Sequence, residues 1–550
     1  MRYRRTLWLA AAAAMAVLAE GGPQLPVFTD VSKQAGITFM HSYGDHHMDN
    51  IVEGTGAGAC FFDYNNDGYL DIYFVTGTWT KSVSDNEGRD LRGKLSNRLY
   101  RNNGNGTFTD VTEQAEVSGN GIFSSGCSAA DYDNDGWVDL YVLNYGPNIL
   151  YHNNGDGAFT DVSKKSGLDN PCWSLHAVWF DYNNDGYLDV YVANYLKYDD
   201  GQFRDFYPAA GYPGPLSYSG EPDALYRNNG DGTFTDVTKQ AGVYKPDGRA
   251  MSVTASDFRN VGLLDIFVAN DAMENFYFEN QGNGTFIEKA LEMGVAYGEN
   301  GQGVSNMGPV VGDVNRDGLL DIFIPNLNYC ILFQQGKHGY EDRTRQAGLS
   351  AALGQYAGWG AVLFDYDNDG WLDVLTVHGN AHHEYVQEAT LMRNRGDGTF
   401  EDVSDHSGQY FQEKYVGRGA AWADYDNDGD IDLLVVNLND SVKLLRNDGG
   451  NRNNWLAVEA KLKFPTGTRD AIGARVTVTT GSLRQIEDLI PVRGYLSQSD
   501  PRLHFGLGKA AYADSVEIRW PDGSVEKLDK VKANQFLKLV HEAKANGVKR

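Results

Sequence analysis

The chain has 550 residues and a formal charge of −27, with 64 glycines and 15 prolines. That much glycine without a Gly-X-Y period excludes collagen and points to many tight turns, and the abundance of Tyr and Phe favours strands. So acidic a surface, with no basic stripe, excludes nucleic acid and anionic lipid as partners.

The chain opens MRYRRTLWLAAAAAMAVLAEGG, with Arg2, Arg4 and Arg5 ahead of an apolar run from Leu7 to Leu18. This reads as a secretory signal over residues 1–19, cleaved after Ala19, so the mature chain is expected to be secreted, periplasmic or at the cell surface. The run is short for a bilayer span, and an uncleaved anchor is the alternative. No other segment is expected to cross a membrane. Cys60, Cys127, Cys172 and Cys330 form no disulfide framework and no CxxC pair. Cys60 and Cys127 precede successive acidic motifs, either as neighbours in adjacent units or simply as small buried residues.

From residue 26 to residue 449 one pattern recurs. Its marker is a nine-residue acidic motif: DYNNDGYLD from Asp63, DYDNDGWVD from Asp131, DYNNDGYLD from Asp181, DFRNVGLLD from Asp257, DVNRDGLLD from Asp313, DYDNDGWLD from Asp365 and DYDNDGDID from Asp424. A small, apolar strand precedes each motif, a second strand follows, an LYRN-like strand comes third, and a Gly-rich turn leads to a fourth such as TFTDV. Four short strands per unit, repeated, predict an all-β, seven-bladed β-propeller whose blades stack because none can bury both faces alone. The last blade lacks its own fourth strand, and FTDV from Phe28 stands ahead of the first motif; the N-terminal segment is therefore predicted to complete the last blade. Insertions at 77–98 and 195–224 are loops on this scaffold, placed for binding or carried as decoration.

Within each motif, positions 1, 3, 5 and 9 carry carboxylate or amide oxygens, Gly at position 6 allows the turn, and the carbonyl of position 7 can add a ligand. The candidate ligands are Asp63, Asn65, Asp67, Tyr69 and Asp71; Asp131, Asp133, Asp135, Trp137 and Asp139; Asp181, Asn183, Asp185, Tyr187 and Asp189; Asp313, Asn315, Asp317, Leu319 and Asp321; Asp365, Asp367, Asp369, Trp371 and Asp373; and Asp424, Asp426, Asp428, Asp430 and Asp432. Oxygen ligands in this number suit calcium, about six ions in all. EF-hands are excluded, because strands flank the loops and no Glu stands at position 12. The bland alternative is that Asp-Asn-Gly clusters only make hairpin turns. Against it, two carboxylates about 4 Å apart repel by roughly 4 kcal/mol near a protein surface, so three or four in one loop need a cation. In the fourth motif Arg259 and Val261 replace two ligands. That loop is expected to hold no metal, with the guanidinium between Asp257 and Asp265.

Residues 455–541 alternate as short strands (WLAVEA, ARVTVT, LHFGL, SVEIRW, QFLKLV) and predict a small β-sandwich, with Asn451 to Asn454 as a polar link. The acidic motifs resemble the FG-GAP/VCBS family of integrin-α-like propellers. IGARVTV from Ile472, GYLSQSDPRLHFGLG from Gly494 and VEIRWPDGS from Val516 resemble the ASPIC/UnbV domain. A propeller followed by that domain is similar to the cartilage acidic protein family, which implies an exported, calcium-binding propeller.

His41, His46 and His47, and His378, His382 and His383, form two local clusters that are either transition-metal ligands at a propeller mouth or surface and turn residues. No nucleophile, phosphate or zinc motif is present. Two functions remain open: a binding, adhesion or structural module for a protein or glycan partner, and a propeller lyase or hydrolase working on polysaccharide in the central funnel.

Overall fold

The computed structural model describes residues 25–198, 212–327, 329–380 and 385–543, so the signal segment and His382 and His383 lie outside the described residues. Each repeat forms a four-stranded antiparallel sheet, and seven such sheets succeed one another along the chain. Sheet 2 shows the pattern: Ser124–Ala130, Asp139–Asn144, Ile149–Asn153 and Phe159–Asp161. Its first two strands are buried along their whole length and its last is exposed beyond Phe159. That gradient explains the sequence. Strands covered on both faces read as unbroken small or apolar runs, while the outermost can carry Thr and Asp.

The seventh sheet draws its outer strand from the other end of the chain. Val27–Asp30 pairs antiparallel with Lys443–Asp448, Phe28 opposite Asn447. A second set of bonds ties each sheet to the one before it. The side-chain amide closing the third strand donates to the carbonyl of motif position 2 in the preceding sheet. Asn153 reaches Tyr64 (2.8 Å), Asn228 Tyr132 (2.8 Å), Asn280 Tyr182 (2.9 Å), Gln335 Phe258 (2.9 Å), Asn394 Val314 (2.8 Å) and Asn447 Tyr366 (2.8 Å). Asn102 of sheet 1 completes the circuit on Tyr425 of sheet 7 (2.9 Å). The arrangement is propeller-like.

Beyond residue 453 the chain builds two more sheets. One contains Asn454–Lys463, Thr468–Asp470, Leu503–Gly508 and the parallel strand Phe536–Glu542; the other contains Arg475–Thr480, Leu483–Asp488, Tyr512–Arg519 and Val525–Lys532. These sheets lie against the acidic loops, and the expected link is no free tether. The Asn451 amide donates to Asp430 (3.2 Å), the Asn453 side chain donates to the Asp367 carbonyl (2.7 Å), and Asn454 already begins a strand.

From these sheets, residues 494–500 (GYLSQSD) run into the axis of the ring. Gln498 exchanges backbone bonds with Ala59 and Phe61 of sheet 1 (both 3.0 Å) and accepts from the Ala129 amide of sheet 2 (2.8 Å). The Gly494 carbonyl accepts from Ser252 of sheet 4 (3.1 Å), and Asp500 donates to Trp422 of sheet 7 (2.9 Å). Glycine lines the passage: a Cβ on Gly58 would sit 2.0 Å from the Leu496 carbonyl oxygen, and one on Gly308 would sit 2.4 Å from the Tyr495 nitrogen.

Candidate metal centre: the acidic loops and their cover

In all seven loops the position 1 carboxylate accepts from the backbone amides of positions 5 and 6, as Asp131 does from Asp135 (3.1 Å) and Gly136 (2.8 Å). The turn needs two left-handed residues. Gly at position 6 was legible. Position 4 was not read, although it is Asn in six motifs: Asn66, Asn134, Asn184, Asn260, Asn368 and Asn427, with Arg316 in the other, all at φ between 53° and 63°. Asn adopts this conformation more readily than most residues. Its side chain also bridges loops: Asn66 donates to the Gly136 carbonyl (2.9 Å), Asn368 to Gly429 (3.0 Å) and Asn427 to Gly68 (3.2 Å).

Position 9 is the most buried. Asp71, Asp189, Asp321 and Asp432 are fully covered, and each accepts from the third strand of its own sheet, as Asp71 does from Asn102 (2.8 Å). Positions 1, 3, 5 and 9 thus converge. Where position 3 is Asp, in loops 2, 6 and 7, three carboxylate oxygens lie within 4.8 Å: Asp131, Asp133 and Asp135; Asp365, Asp367 and Asp373; Asp424, Asp426 and Asp432. Burial first, and neighbouring carboxylates second, push Asp131 up to about 7 and Asp139 and Asp424 up to about 8. Asp133 Oδ1, Asp426 Oδ1 and Asp430 Oδ1 are buried without a hydrogen-bond partner. Crowded carboxylates with orphaned, buried oxygens are a donor set fitted to a hard cation.

In two loops a cation of the third strand lies on the carboxylates. Arg393 donates to Asp367 (2.9 Å) and Asp369 (2.6 Å) in loop 6. In loop 2, His152 stands at that strand position, 3.1 Å from Asp139 and 3.5 Å from Asp133, and its hydrogen bond to Asp139 lifts it to about 9.

Loop 4 differs from the expectation in one respect. Arg259 grips Asp265 with two bonds of 2.8 Å and approaches Glu279 at 3.6 Å, but it does not bridge to Asp257. Asp257 is met instead by Arg519 at 2.5 Å. Glu279 stands where Arg101, Arg227, Arg393 and Arg446 stand in other sheets, so the charges of strand and loop are exchanged.

The C-terminal sheets read the loops through arginine. Arg475 donates to the Asn260 side chain (3.0 Å) and the Asp257 carbonyl (2.7 Å), held by Asp488 (2.6 Å). Arg502 repeats this on loop 7, reaching Asn427 (2.6 Å) and the Asp424 carbonyl (2.7 Å), held by Asp500 (2.9 Å). Arg469 meets Asn134 (2.6 Å), and His504 meets Asn368 (2.7 Å). Sequence reasoning missed all of these, because each loop partner lies at least 75 residues away along the chain.

The first histidine cluster does not assemble among the described residues, and of the second only His378 is described. His41 and His378 are buried and, chiefly by burial, pushed down to about 3; His46 pairs with Asp90 (2.7 Å) and His47 faces Glu87 (3.9 Å). Cys60 and Cys127 prove to be both neighbours and buried, and the four cysteines are free.

Known proteins agree with this architecture. The FG-GAP-like repeat model matches residues 63–142, 131–192, 257–324 and 365–435, and the ASPIC and UnbV model matches residues 464–546. Cartilage acidic protein 1 of Mus musculus is 31% identical over 316 residues, covering 56% of this chain and 47% of that protein. The Homo sapiens protein is 30% identical over 315 residues, covering 56% and 46%. The chain thus spans about half the length of these curated relatives. A solved Agrocybe aegerita lectin that recognises non-reducing terminal N-acetylglucosamine aligns with a TM-score of 0.37 and 17% identity, over 62% of this chain and 82% of that one, too slight a likeness to carry a ligand across. The chain belongs to the family in which FG-GAP-like repeats precede an ASPIC and UnbV domain, the family of cartilage acidic protein 1.

Proposed function

We propose that this chain is an exported, seven-bladed, calcium-set propeller that serves as a binding or structural module for an extracytoplasmic protein or glycan. The observation that carries this reading is the filled axis. A propeller enzyme needs its reacting groups around an open funnel, and here residues 494–500 occupy that space from the loop side. The circuit of seven amide bonds and the pairing of Val27–Asp30 with Lys443–Asp448 support the blade number. Calcium is supported by the convergent carboxylate oxygens of loops 2, 6 and 7 and by the three orphaned carboxylate oxygens. Its part is structural: it lets carboxylates stay ionised side by side, which stiffens the loops on which the C-terminal sheets rest. No helix among the described residues is long and apolar enough to cross a membrane.

Two measurements test the proposal. Elemental analysis after mild dialysis should find at least about six calcium ions per chain; two or fewer would mean that most loops are only turns. A screen against glycans and secreted proteins, with calcium and with chelator, should return a calcium-dependent ligand left chemically unchanged. Turnover of a polysaccharide would sink the binding-module reading.

A further inference from the structure

Loop 7 is unlike the others. Its motif, DYDNDGDID, places a carboxylate at position 7, where the other loops have Tyr, Trp or Leu. Asp430 is 1% exposed. One of its oxygens accepts from the Asn451 amide at 3.2 Å; the other, Oδ1, is buried with no partner. The same carboxyl lies within hydrogen-bonding reach of Asp428 and feels Asp424 as a repelling neighbour. Asp426 Oδ1 is also without a partner.

Charge sets this loop apart as well. Loop 1 has three carboxylates, so one divalent ion leaves a single negative charge. Loop 6 has four, but Arg393 lies on Asp367 and Asp369 and brings the balance to the same value. Loop 7 has five. Arg446, the counterpart of Arg393, is turned to Asp448 (2.8 Å), and Arg502 is spent on Asp500 in a two-pronged pair. One divalent ion would leave loop 7 with three negative charges, most of them buried, in a medium where such repulsion is severe.

We infer that loop 7 holds two divalent cations: one among Asp424, Asp426, Asp428 and Asp432 as in the other loops, and a second on the Asp428 and Asp430 carboxylates beside the Asn451 amide. This rests on the calcium reading of the loops. With the second ion the net charge returns to that of loop 1. Because Asn451 bonds both to Asp430 and to the Asp428 carbonyl (3.3 Å), the second ion also fixes the start of the C-terminal sheets.

The test is a calcium count on gel-filtered full-length protein at saturating calcium, wild type against Asp430→Asn. Asparagine keeps an acceptor for the Asn451 amide and removes only charge. The expected result is about seven ions falling to about six. About six in both proteins overturns the second ion and leaves the loops intact; two or fewer overturns both readings. A second measurement needs no variant. Anomalous scattering from crystals of the wild-type protein grown with strontium should show two peaks in loop 7, about 4 Å apart as in other two-metal sites; a single peak overturns the inference.

Discussion

If residues 494–500 fill the axis, one methyl group at Gly58 should unseat them. Gly58 is not in a left-handed conformation, so alanine is acceptable to its own backbone. The obstacle lies across the passage. The new Cβ would stand 2.0 Å from the Leu496 carbonyl oxygen and 3.0 Å from its carbon, both main-chain atoms that no rotamer change can remove. Ordinary contact begins at 3.4 Å, so the segment must retreat by more than an ångström. That retreat carries the Gln498 amide, now 3.0 Å from Ala59, and the Phe61 amide, now 3.0 Å from Gln498, out of bonding range. Overpacking costs about 1–3 kcal/mol and each lost bond about 0.5–1.5 kcal/mol, so Gly58→Ala, with two bonds lost, should destabilise by roughly 2–6 kcal/mol. Gly56→Ala is the control. Its Cβ would meet nothing closer than 3.5 Å, and it should be neutral or stabilise by about 0.4–1 kcal/mol through the unfolded chain. Urea unfolding at saturating calcium reads the difference as a midpoint shift at constant slope. Chymotrypsin should also cut near Tyr495 and Leu496 in Gly58→Ala alone. Equal midpoints for the two variants would refute the seated segment.

Stability should respond to pH in opposite directions with and without metal. Without it, Asp131, Asp139 and Asp424 have folded values raised to about 7–8, above the unfolded value near 4, so the stability they lend is fully present below pH 4 and lost as pH rises through 8. Chelated protein should therefore melt lower at pH 8.5 than at pH 5.5, and calcium-loaded protein higher, since the ion needs ionised ligands; parallel curves would contradict the metal role. Arg259→Ala leaves the fully covered Asp265 without its two bonds and should cost roughly 3–5 kcal/mol, less for the 23% exposure of the arginine, whether or not calcium is added. A variant as stable as the parent would make Arg259 an ordinary surface residue. Deleting residues up to Val31 strips the outer strand from sheet 7 and should yield insoluble or protease-sensitive protein; an unchanged melting curve would refute closure through that strand.

What could be read from the sequence, and what could not, follows from distance along the chain. Asp63, Asn65, Asp67 and Asp71 announce a loop because the bonds that turn it, from the Asp67 and Gly68 amides to Asp63, lie within nine residues. The Phe28 strand was legible through counting, since one unit lacked its fourth member. Asn66 and its equivalents were visible as a repeat, but their partners are carbonyls of the next sheet, and nothing local marks them. Arg259 was recognised as a stand-in cation, yet its expected hold on Asp257 failed because Arg519, 262 residues away, takes that carboxylate. The axial segment was the largest omission. GYLSQSD was legible only as part of a family motif, and nothing local to it or to Gly58 and Gly308 marks the contact until the two are brought together.

The pairing of Val27–Asp30 with Lys443–Asp448 also sets a clock. Thr29 bonds to Asp448 across 419 residues of chain. At about 5–20 residues per second, the first strand waits on the order of 20–80 s after synthesis for the partner that completes its sheet. Until then sheet 7 has no outer strand, the circuit of amide bonds is open between Asn102 and Tyr425, and nothing fills the axis. The partners that seal the molecule, residues 443–448 and 494–500, are thus made late, so a chain that stops before them is left with a raw edge and a hollow centre.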